Sequence, residues 1–253
     1  DGRYVVFTSK ATDLIQGVTE EYRQVYLRDT ELNTTELISQ STSGQIGNRS
    51  SGWPSMSSDG RYVVFDSTSS NFDSTDATYH NVFIRDRWTN RTERVSRNYS
   101  GEFIPANKYS GDASISADGR YIVYVSEGDD LIEWGTPQPN NKHIYRVKNP
   151  FYGPLPYPST PAAIPTPAPH ENNIIDVNSA GISDPRNIGD REGYSPSISG
   201  DGNYIVYTSA SHNLSTDILR QNDNNSQDVF LYDVAAGTTS LVSKLRQGDL
   251  TGQ

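Results

Sequence analysis

The strongest constraint on this chain is a sequence pattern that occurs four times. An Asp-Gly pair is followed each time by a short apolar stretch, in the segments DGRYVVF, DGRYVVF, DGRYIVY and DGNYIVY. The copies begin at Asp1, Asp59, Asp118 and Asp201, so successive copies lie 58, 59 and 83 residues apart. Repetition at this spacing indicates one structural unit that is used four times.

Each repeat predicts four short strands, lettered A to D in chain order. Strand A is a Ser-rich alternation such as PSIS, and the Asp-Gly pair makes a tight turn into the apolar strand B. Strand C is VYLRD, VFIRD, IYRV or VFLYD, and strand D is TELIS, TERVS or TSLVS. The first repeat starts at the turn that follows strand A, so fifteen strands are expected instead of sixteen.

Strands B and C are apolar at consecutive positions, which requires cover on both faces of each small sheet. A radial stack of sheets gives that cover, and small Ser and Ala side chains fit its crowded axis. The sequence therefore predicts an all-β fold, a partial β-propeller of four four-stranded antiparallel blades whose first blade lacks the innermost strand. We expect a single domain over 1–253, with blades at about 1–41, 53–97, 112–178 and 195–243.

The fourth repeat, S-P-S-I-S-G-D-G-N-Y-I-V-Y followed by a D-V-F-L-Y-D strand, resembles the TolB-like, WD-repeat-like β-propeller repeat. The resemblance covers nearly the whole chain and implies the propeller fold. That family ranges from periplasmic interaction proteins to propellers attached to peptidases, so the resemblance selects no single function. It implies an extracytoplasmic location, in the periplasm, at the cell surface or secreted. Because the first strand A is missing, we expect a fragment of a longer array that self-associates when isolated.

Charge and composition exclude several classes of partner and site. The chain has 21 Lys plus Arg against 31 Asp plus Glu, a net charge of −10 that repels nucleic acid and anionic lipid. It has no Cys, which excludes disulfides, thiol nucleophiles and Cys-ligated metals. The longest apolar run, Tyr121 to Val125, is far too short for a membrane span.

A Pro-rich insertion at 150–171 interrupts blade three between strands C and D. Residues 150–169 hold eight of the fourteen prolines, a composition that favours extended polyproline conformations. The segment is either a docking site for another protein or an inert surface excursion. The second interpretation is favoured, and no site is assigned to the insertion.

Motifs for catalysis or metal binding are weak. The sequence contains no G-x-S-x-G, H-E-x-x-H, P-loop or C-x-x-C motif. The Asx-rich loop from Asp223 to Asp228 has the oxygen ligands that calcium prefers, but Val234 stands where an EF-hand places its Glu. Such loops commonly hydrogen-bond their own backbone, so no cofactor is predicted and calcium remains the alternative.

Three histidines, His80, His143 and His212, lie in comparable loops, and some TolB-like propellers act as metal-assisted polysaccharide lyases. Their positions within the repeats do not match closely, which favours three solvent-exposed loop histidines over a metal site. Arg-Asp pairs recur at 28–29 and 85–86, at the end of strand C. We interpret them as structural, because Asp at the start of a turn accepts backbone N–H groups and Arg shields a sheet edge.

The expected binding face is the end of the blades that carries the long B-to-C loops and the D-to-A links. Long loops gathered on one face are more often functional than accidental. The sequence predicts a non-enzymatic module that binds a protein or carbohydrate ligand there; the alternative is a propeller enzyme or the propeller of a prolyl-oligopeptidase-type peptidase. The candidate ligand-binding residues on this face are Tyr22, Tyr79, Trp134, Asp73, Asp76 and Asp223.

Overall fold

The computed structural model describes residues 2–19, 21–73, 78–101, 108–128, 131–132, 141–153, 173–177, 189, 191–214 and 227–243. The described residues form strands and turns, and none of them belongs to a helix long and apolar enough to cross a membrane. The Pro-rich segment at 154–172 lies outside the described residues. The strands are β1 (Tyr4–Ser9), β2 (Gln24–Asp29), β3 (Thr34–Leu37), β4 (Ser51–Met56), β5 (Tyr62–Ser67), β6 (Asn81–Asp86), β7 (Arg91–Arg94), β8 (Ser110–Ile115), β9 (Tyr121–Ser126), β10 (His143–Lys148), β11 (Asn173–Ile174), β12 (Gly193–Ile198), β13 (Tyr204–Ser209), β14 (Asp228–Asp233) and β15 (Thr238–Leu241).

The strands form four antiparallel sheets in which each strand pairs with its neighbours in the chain. The first sheet has three strands, β1 to β3, and the sheets β4 to β7, β8 to β11 and β12 to β15 have four each. This confirms the expected partial propeller, including the missing innermost strand of the first blade. Blade three differs in its outermost strand, β11, which has only two residues.

The two ends of the blades have different connections. The end with the Asp-Gly turns and the C-to-D turns is called the turn end; the opposite end, with the B-to-C loops and the blade-to-blade links, is called the loop end. At the turn end, Gly60 has a φ of 70° and Gly237 a φ of 63°, while Asn33 and Asn90 adopt 57° and 56°. The tight Asp-Gly turns predicted from the sequence are therefore confirmed.

The apolar core lies between successive blades. One cluster joins β2 to β5 and β6 and includes Phe65 and Phe83, whose rings stack with centroids 6.0 Å apart. A second cluster joins blades two and three, and a third joins blades three and four. Blade two is buried on both faces, whereas the fourth blade leaves Tyr204 46% and Val206 40% exposed. The consecutive apolar residues of strand B thus reflect the stacking of neighbouring blades.

Each junction between blades is closed by the same contact at the turn end. The Tyr that begins strand B packs beneath the Gly of the next blade's Asp-Gly turn, where a Cβ on Gly60 would lie 2.5 Å from the Tyr4 ring. The pairs Tyr62 with Gly119 and Tyr121 with Gly202 repeat this arrangement. Glycine is needed here both for its backbone angle and for the space it leaves.

The Arg-Asp pairs at the end of strand C are structural, as expected, although the Arg makes contacts that differ from the prediction. Asp29 accepts the backbone N–H groups of Glu31 and Leu32, each at 3.0 Å. Arg85 does not shield an edge; it donates to the carbonyl of Asn90 at 3.0 Å and to the Thr92 hydroxyl at 3.1 Å. It therefore ties strand C to the turn and to strand D.

Candidate binding site

A backbone irregularity recurs in the innermost strand of every complete blade. The pairing of strand A with strand B shifts register between Gly52 and Ser55 in β4, and β8 and β12 contain the same shift. The residue inside each bulge has a positive φ, 43° at Trp53, 53° at Asp112 and 49° at Ser195. A non-Gly residue in this conformation costs roughly 1–3 kcal/mol, and such strain concentrates at functional sites. The three bulges therefore indicate a candidate site at the loop end of the inner strands.

Cationic and aromatic side chains alternate along this end of the molecule across all four blades. The Arg23 guanidinium lies 6.0 Å from the Trp53 ring centre, and the Trp53 and His80 rings are 5.9 Å apart. The His80 and Tyr109 rings are 6.0 Å apart. The Lys142 ammonium then lies 4.6 Å from the ring of Tyr109 and 5.5 Å from that of Tyr194. We call this set the cation–aromatic arc: Arg23, Trp53, His80, Tyr109, Lys142 and Tyr194.

Backbone hydrogen bonds between blades create the arc. The residue just before strand C accepts, through its carbonyl, the N–H of the first residue of the next blade's strand A. Ser51 donates to Arg23 at 2.8 Å, and Ser110 donates to His80 at 2.9 Å. Gly193 donates to Lys142 at 2.7 Å. Each junction therefore brings a cationic or imidazole side chain of one blade against the inner strand of the next.

A buried carboxyl supports the central bulge. Asp66, on β5, is 1% exposed and accepts the N–H of Asp112 on the next blade at 3.0 Å. Its other oxygen, Oδ1, has no hydrogen-bond partner among the described residues. Burial, reinforced by the nearby Asp112 carboxylate, raises the pKa of Asp66 to about 8. Burial also lowers the pKa of His80 and raises that of Tyr109. At neutral pH the group beside the bulge is therefore a carboxylic acid that retains its proton.

Of the predicted site residues, Tyr22 and Tyr79 directly precede arc residues and are 43% and 42% exposed. Tyr22 also lines a shallow depression with Gly17, Thr19 and the segment at 46–48. Asp73 lies in an ion pair, 2.6 Å from Arg94, with its side chain 9% exposed. Three further predicted residues, Trp134, Asp76 and Asp223, lie outside the described residues.

Sequence reasoning missed five residues of the arc as binding candidates and considered the sixth, His80, only as a metal ligand. The five are Arg23, Trp53, Tyr109, Lys142 and Tyr194. A signal for them is present in the sequence. Arg23, His80 and Lys142 share one position of the repeat, the residue before strand C, whereas Trp53, Tyr109 and Tyr194 occupy three different positions at or just before the start of strand A. Because these positions are distant in sequence and meet partly within a blade and partly across a blade junction, the repeat pattern alone does not show that they form one arc.

The prediction of three exposed loop histidines is wrong for His143. Its side chain is buried in β10, and Nδ1 lies 2.7 Å from Asp176. Burial opposes the charged form, but the Asp176 carboxylate beside it raises the pKa of His143. In other blades an amide and a hydroxyl connect the same two positions. In blade one, the Ser39 hydroxyl donates a hydrogen bond to the Gln24 side-chain carbonyl at 2.6 Å. The His143–Asp176 pair therefore joins strand C to the segment after strand D. In the described part of the chain, no three His, Cys, Asp or Glu side chains are grouped to hold a metal ion.

No family model matches the sequence, and neither does any curated protein. Solved structures share the fold. The putative TolB from Agrobacterium tumefaciens is 14% identical with a TM-score of 0.50, and the match covers 95% of this chain and 61% of that one. The tricorn protease is 10% identical at a TM-score of 0.53, covering 96% of this chain and 21% of that one. Kuenenia stuttgartiensis hydrazine synthase is 9% identical with a TM-score of 0.51, and the match covers 99% of this chain and 32% of that one.

This chain therefore spans less than two thirds of the length of each of these structures. At such low identities the likeness shows the fold alone. The fold is a β-propeller like that of TolB, which confirms the resemblance drawn from the repeats.

Proposed function

From a β-propeller fold like that of TolB, we propose that the chain is a non-enzymatic, extracytoplasmic binding module that holds a protein partner against the cation–aromatic arc. The observation that carries the proposal is the continuity of the arc across all three blade junctions. Trp, Tyr and Arg are the residues that most often dominate the energy of protein interfaces. Side chains held in fixed positions by strands lose little entropy when a partner binds.

The electrostatics of the chain support a partner with positive charge. The net charge of −10 accelerates the approach of a basic partner. Beside the arc, the exposed ring of Trp53 and the partly exposed carboxyl group of Asp112 offer contacts to a cationic group. Nothing observed in the described residues favours the alternative of a polysaccharide lyase or a peptidase propeller.

The chain contains a matched pair of Trp residues with which to test this proposal. Trp53 is 57% exposed at the loop end, with Arg23 at 6.0 Å, and Trp88 is 56% exposed at the turn end, with Arg61 at 4.8 Å. Partners captured from the extracytoplasmic fraction of the source cells should bind wild type and Trp88→Ala alike. Trp53→Ala should weaken that binding by about 30-fold, as expected for an interface hot spot of about 2 kcal/mol.

A glycan array run in parallel separates the two ligand classes. Binding of a glycan that requires Trp53, without any captured protein, would replace the protein partner with a carbohydrate. Equal weakening by both Trp variants would show that exposure of an indole, and not the arc, explains the binding. Partner binding that is unchanged in Trp53→Ala would contradict the proposal.

A further inference from the structure

Three acceptor groups converge where the inner strand of blade three meets blade two. Gly111 sits between the Tyr109 hydroxyl and the Asp66 carboxyl, and a Cβ there would lie 2.6 Å from Asp66 Oδ2 and collide with the Tyr109 oxygen. The Tyr109 side chain is also hydrogen-bonded to Asp112. The absent side chain at Gly111 is thus what allows the two carboxyl groups and the phenol to face one another.

This acid cluster includes a buried carboxyl oxygen without a hydrogen-bond partner in the described part of the chain. Asp66 is 1% exposed, and its Oδ1 has no hydrogen-bond partner among the described residues. Neither Asp66 nor Asp112 has an ion-pair partner within the described part of the chain. A buried polar group without a hydrogen-bond partner costs roughly 1–3 kcal/mol, so a group that pairs with this oxygen would be stabilised there.

The surroundings suit a cation. The Trp53 ring is 57% exposed, and His80 lies between it and Tyr109 with ring distances of 5.9 and 6.0 Å. Burial lowers the pKa of His80, so this imidazole carries no competing positive charge at neutral pH. Of the two cations of the arc, Arg23 lies 6.0 Å from the Trp53 ring centre, and Lys142 lies over the Tyr109 ring and 4.0 Å from Glu127. Asp112 and Tyr109 are partly exposed, so the cluster is open to solvent.

We propose that Asp66, Asp112 and Tyr109 form a pocket for an ammonium group of the protein partner, most simply a lysine side chain, with Trp53 as its aromatic wall. This inference rests on the proposed function, because it names the chemical group that the arc recognises. An ammonium has three N–H donors, and the pocket presents acceptors from three side chains. Charge-assisted hydrogen bonds and a cation–π contact then hold the same group.

Binding should be coupled to a proton. Burial raises the pKa of Asp66 to about 8, so the free protein holds that proton at pH 7. A positive charge beside the carboxyl favours its ionised form, so an ammonium lowers this pKa and the proton is released. The other titratable groups that face Asp66 or its neighbours are Asp112, Tyr109, His80, Glu127 and Lys142.

The test follows the carboxyl carbon of Asp66 by NMR through a pH titration. The protein is titrated alone, with Nα-acetyl-lysine methylamide, with the uncharged analogue Nα-acetyl-norleucine methylamide, and with cellobiose. We expect the lysine probe to lower the Asp66 midpoint by about one pH unit, and the other two probes to leave it unchanged. Asp112→Asn should weaken binding of the lysine probe about tenfold, while Asp118→Asn at the turn end should not.

Three results would overturn the pocket. The Asp66 midpoint does not respond to the lysine probe; it responds equally to the norleucine probe; or it responds only to cellobiose, which would assign the pocket to a hydroxylated ligand. Any of these, together with loss of partner binding in Trp53→Ala, removes the ammonium pocket and leaves the proposed function standing. A lysine-dependent shift of the Asp66 midpoint, together with unchanged partner binding in Trp53→Ala, would support the ammonium pocket and contradict the proposed function.

Discussion

Blade two buries two aspartates at opposite ends, and their surroundings differ. At the turn end, Asp86 is fully buried and receives both arms of Arg61, with Nε at 3.1 Å and Nη2 at 2.9 Å. At the loop end, Asp66 is 1% exposed, receives backbone N–H groups through one oxygen and has no described partner for the other. At the turn end the buried carboxyl therefore stabilises the fold through its ion pair. At the loop end the buried carboxyl has one oxygen without a hydrogen-bond partner among the described residues.

The backbone shows the same contrast. At the turn end, positive φ angles belong to Gly or to Asn, which tolerate them at low cost. At the loop end the connections also use Gly, at Gly17, Gly44 and Gly101, but inside the strands the positive φ angles belong to Trp53, Asp112 and Ser195. Strain retained in a regular element, beside an unpaired polar group, is typical of a site that serves binding and not stability. The predictions below test this contrast between the two ends.

The largest effect should come from breaking the ion pair of the turn end. Asp86→Ala leaves the Arg61 guanidinium, whose side chain is 7% exposed, buried without its counter-charge. We expect the free energy of unfolding in urea to fall by about 3–5 kcal/mol. The control is Glu31→Ala, which removes a carboxylate that is 65% exposed beside Arg3 and should cost less than about 1 kcal/mol. Equal losses in the two variants would contradict a stabilising role specific to the buried pair.

A second test separates the contact at the blade junction from backbone strain. Gly60 and Gly237 both have positive φ, but only Gly60 has a ring beneath it, while the space around Gly237 is open within 4 Å. Gly237→Ala should cost about 1–2 kcal/mol from strain alone. Gly60→Ala should cost about 2–4 kcal/mol, because the new methyl group also displaces Tyr4. Thermal unfolding of both variants checks this, and the prediction fails if their midpoints coincide.

The third test concerns pH and the loop end. Because burial raises the pKa of Asp66 from 3.8 to about 8, the folded state binds more protons than the unfolded state between these values. Its contribution to stability is therefore fully present below pH 3.8 and is lost as the pH rises towards 8. Asp66→Asn keeps an oxygen for the Asp112 N–H and removes the titration. It should be more stable than wild type at pH 7 by at least about 1 kcal/mol.

Urea unfolding of both proteins across this pH range measures the difference. The advantage of Asp66→Asn should shrink towards pH 4 and disappear below 3.8, where the wild-type carboxyl becomes protonated in the unfolded state as well. Asp118→Asn, at an Asp that accepts the Arg120 N–H at 2.9 Å, gives a matched control at the turn end. Parallel stability profiles for wild type and Asp66→Asn would show that this carboxyl ionises normally.

The turn end could be predicted from the sequence because its chemistry is local. Asp59 and Gly60 adjoin in the chain, and the turn they make follows from the backbone freedom of Gly and the acceptor oxygens of Asp. The stacking of blades could also be predicted, since consecutive apolar residues in strand B require cover on both faces. These inferences need only neighbours in sequence or the average surroundings of a strand.

The candidate site could be predicted only in part. Loop length placed the candidate site at the loop end and named Tyr22 and Tyr79, which adjoin the arc. The contacts of the arc, however, join residues that lie 27 to 52 positions apart in the sequence, some within a blade and some across a blade junction. No sequence pattern indicated a binding role for Asp66, because it is a single polar residue near the end of an apolar strand. The burial of His143 could not be foreseen either, since its partner Asp176 follows the Pro-rich insertion.

The smallest expected effect measures the strain that remains at the loop end. Ser195 has a φ of 49° and is not part of the arc, so Ser195→Gly should relieve strain without removing a binding contact. We expect this variant to raise the free energy of unfolding by about 0.5–1 kcal/mol and to leave partner binding unchanged. Ser197→Gly, two residues further along β12 and outside the positive-φ set, should lower stability by a similar amount, because Gly in a strand has more freedom to lose. If both changes destabilise, the bulge of β12 stores no strain, and the contrast between the two ends would then depend on Asp66 and its unpaired oxygen.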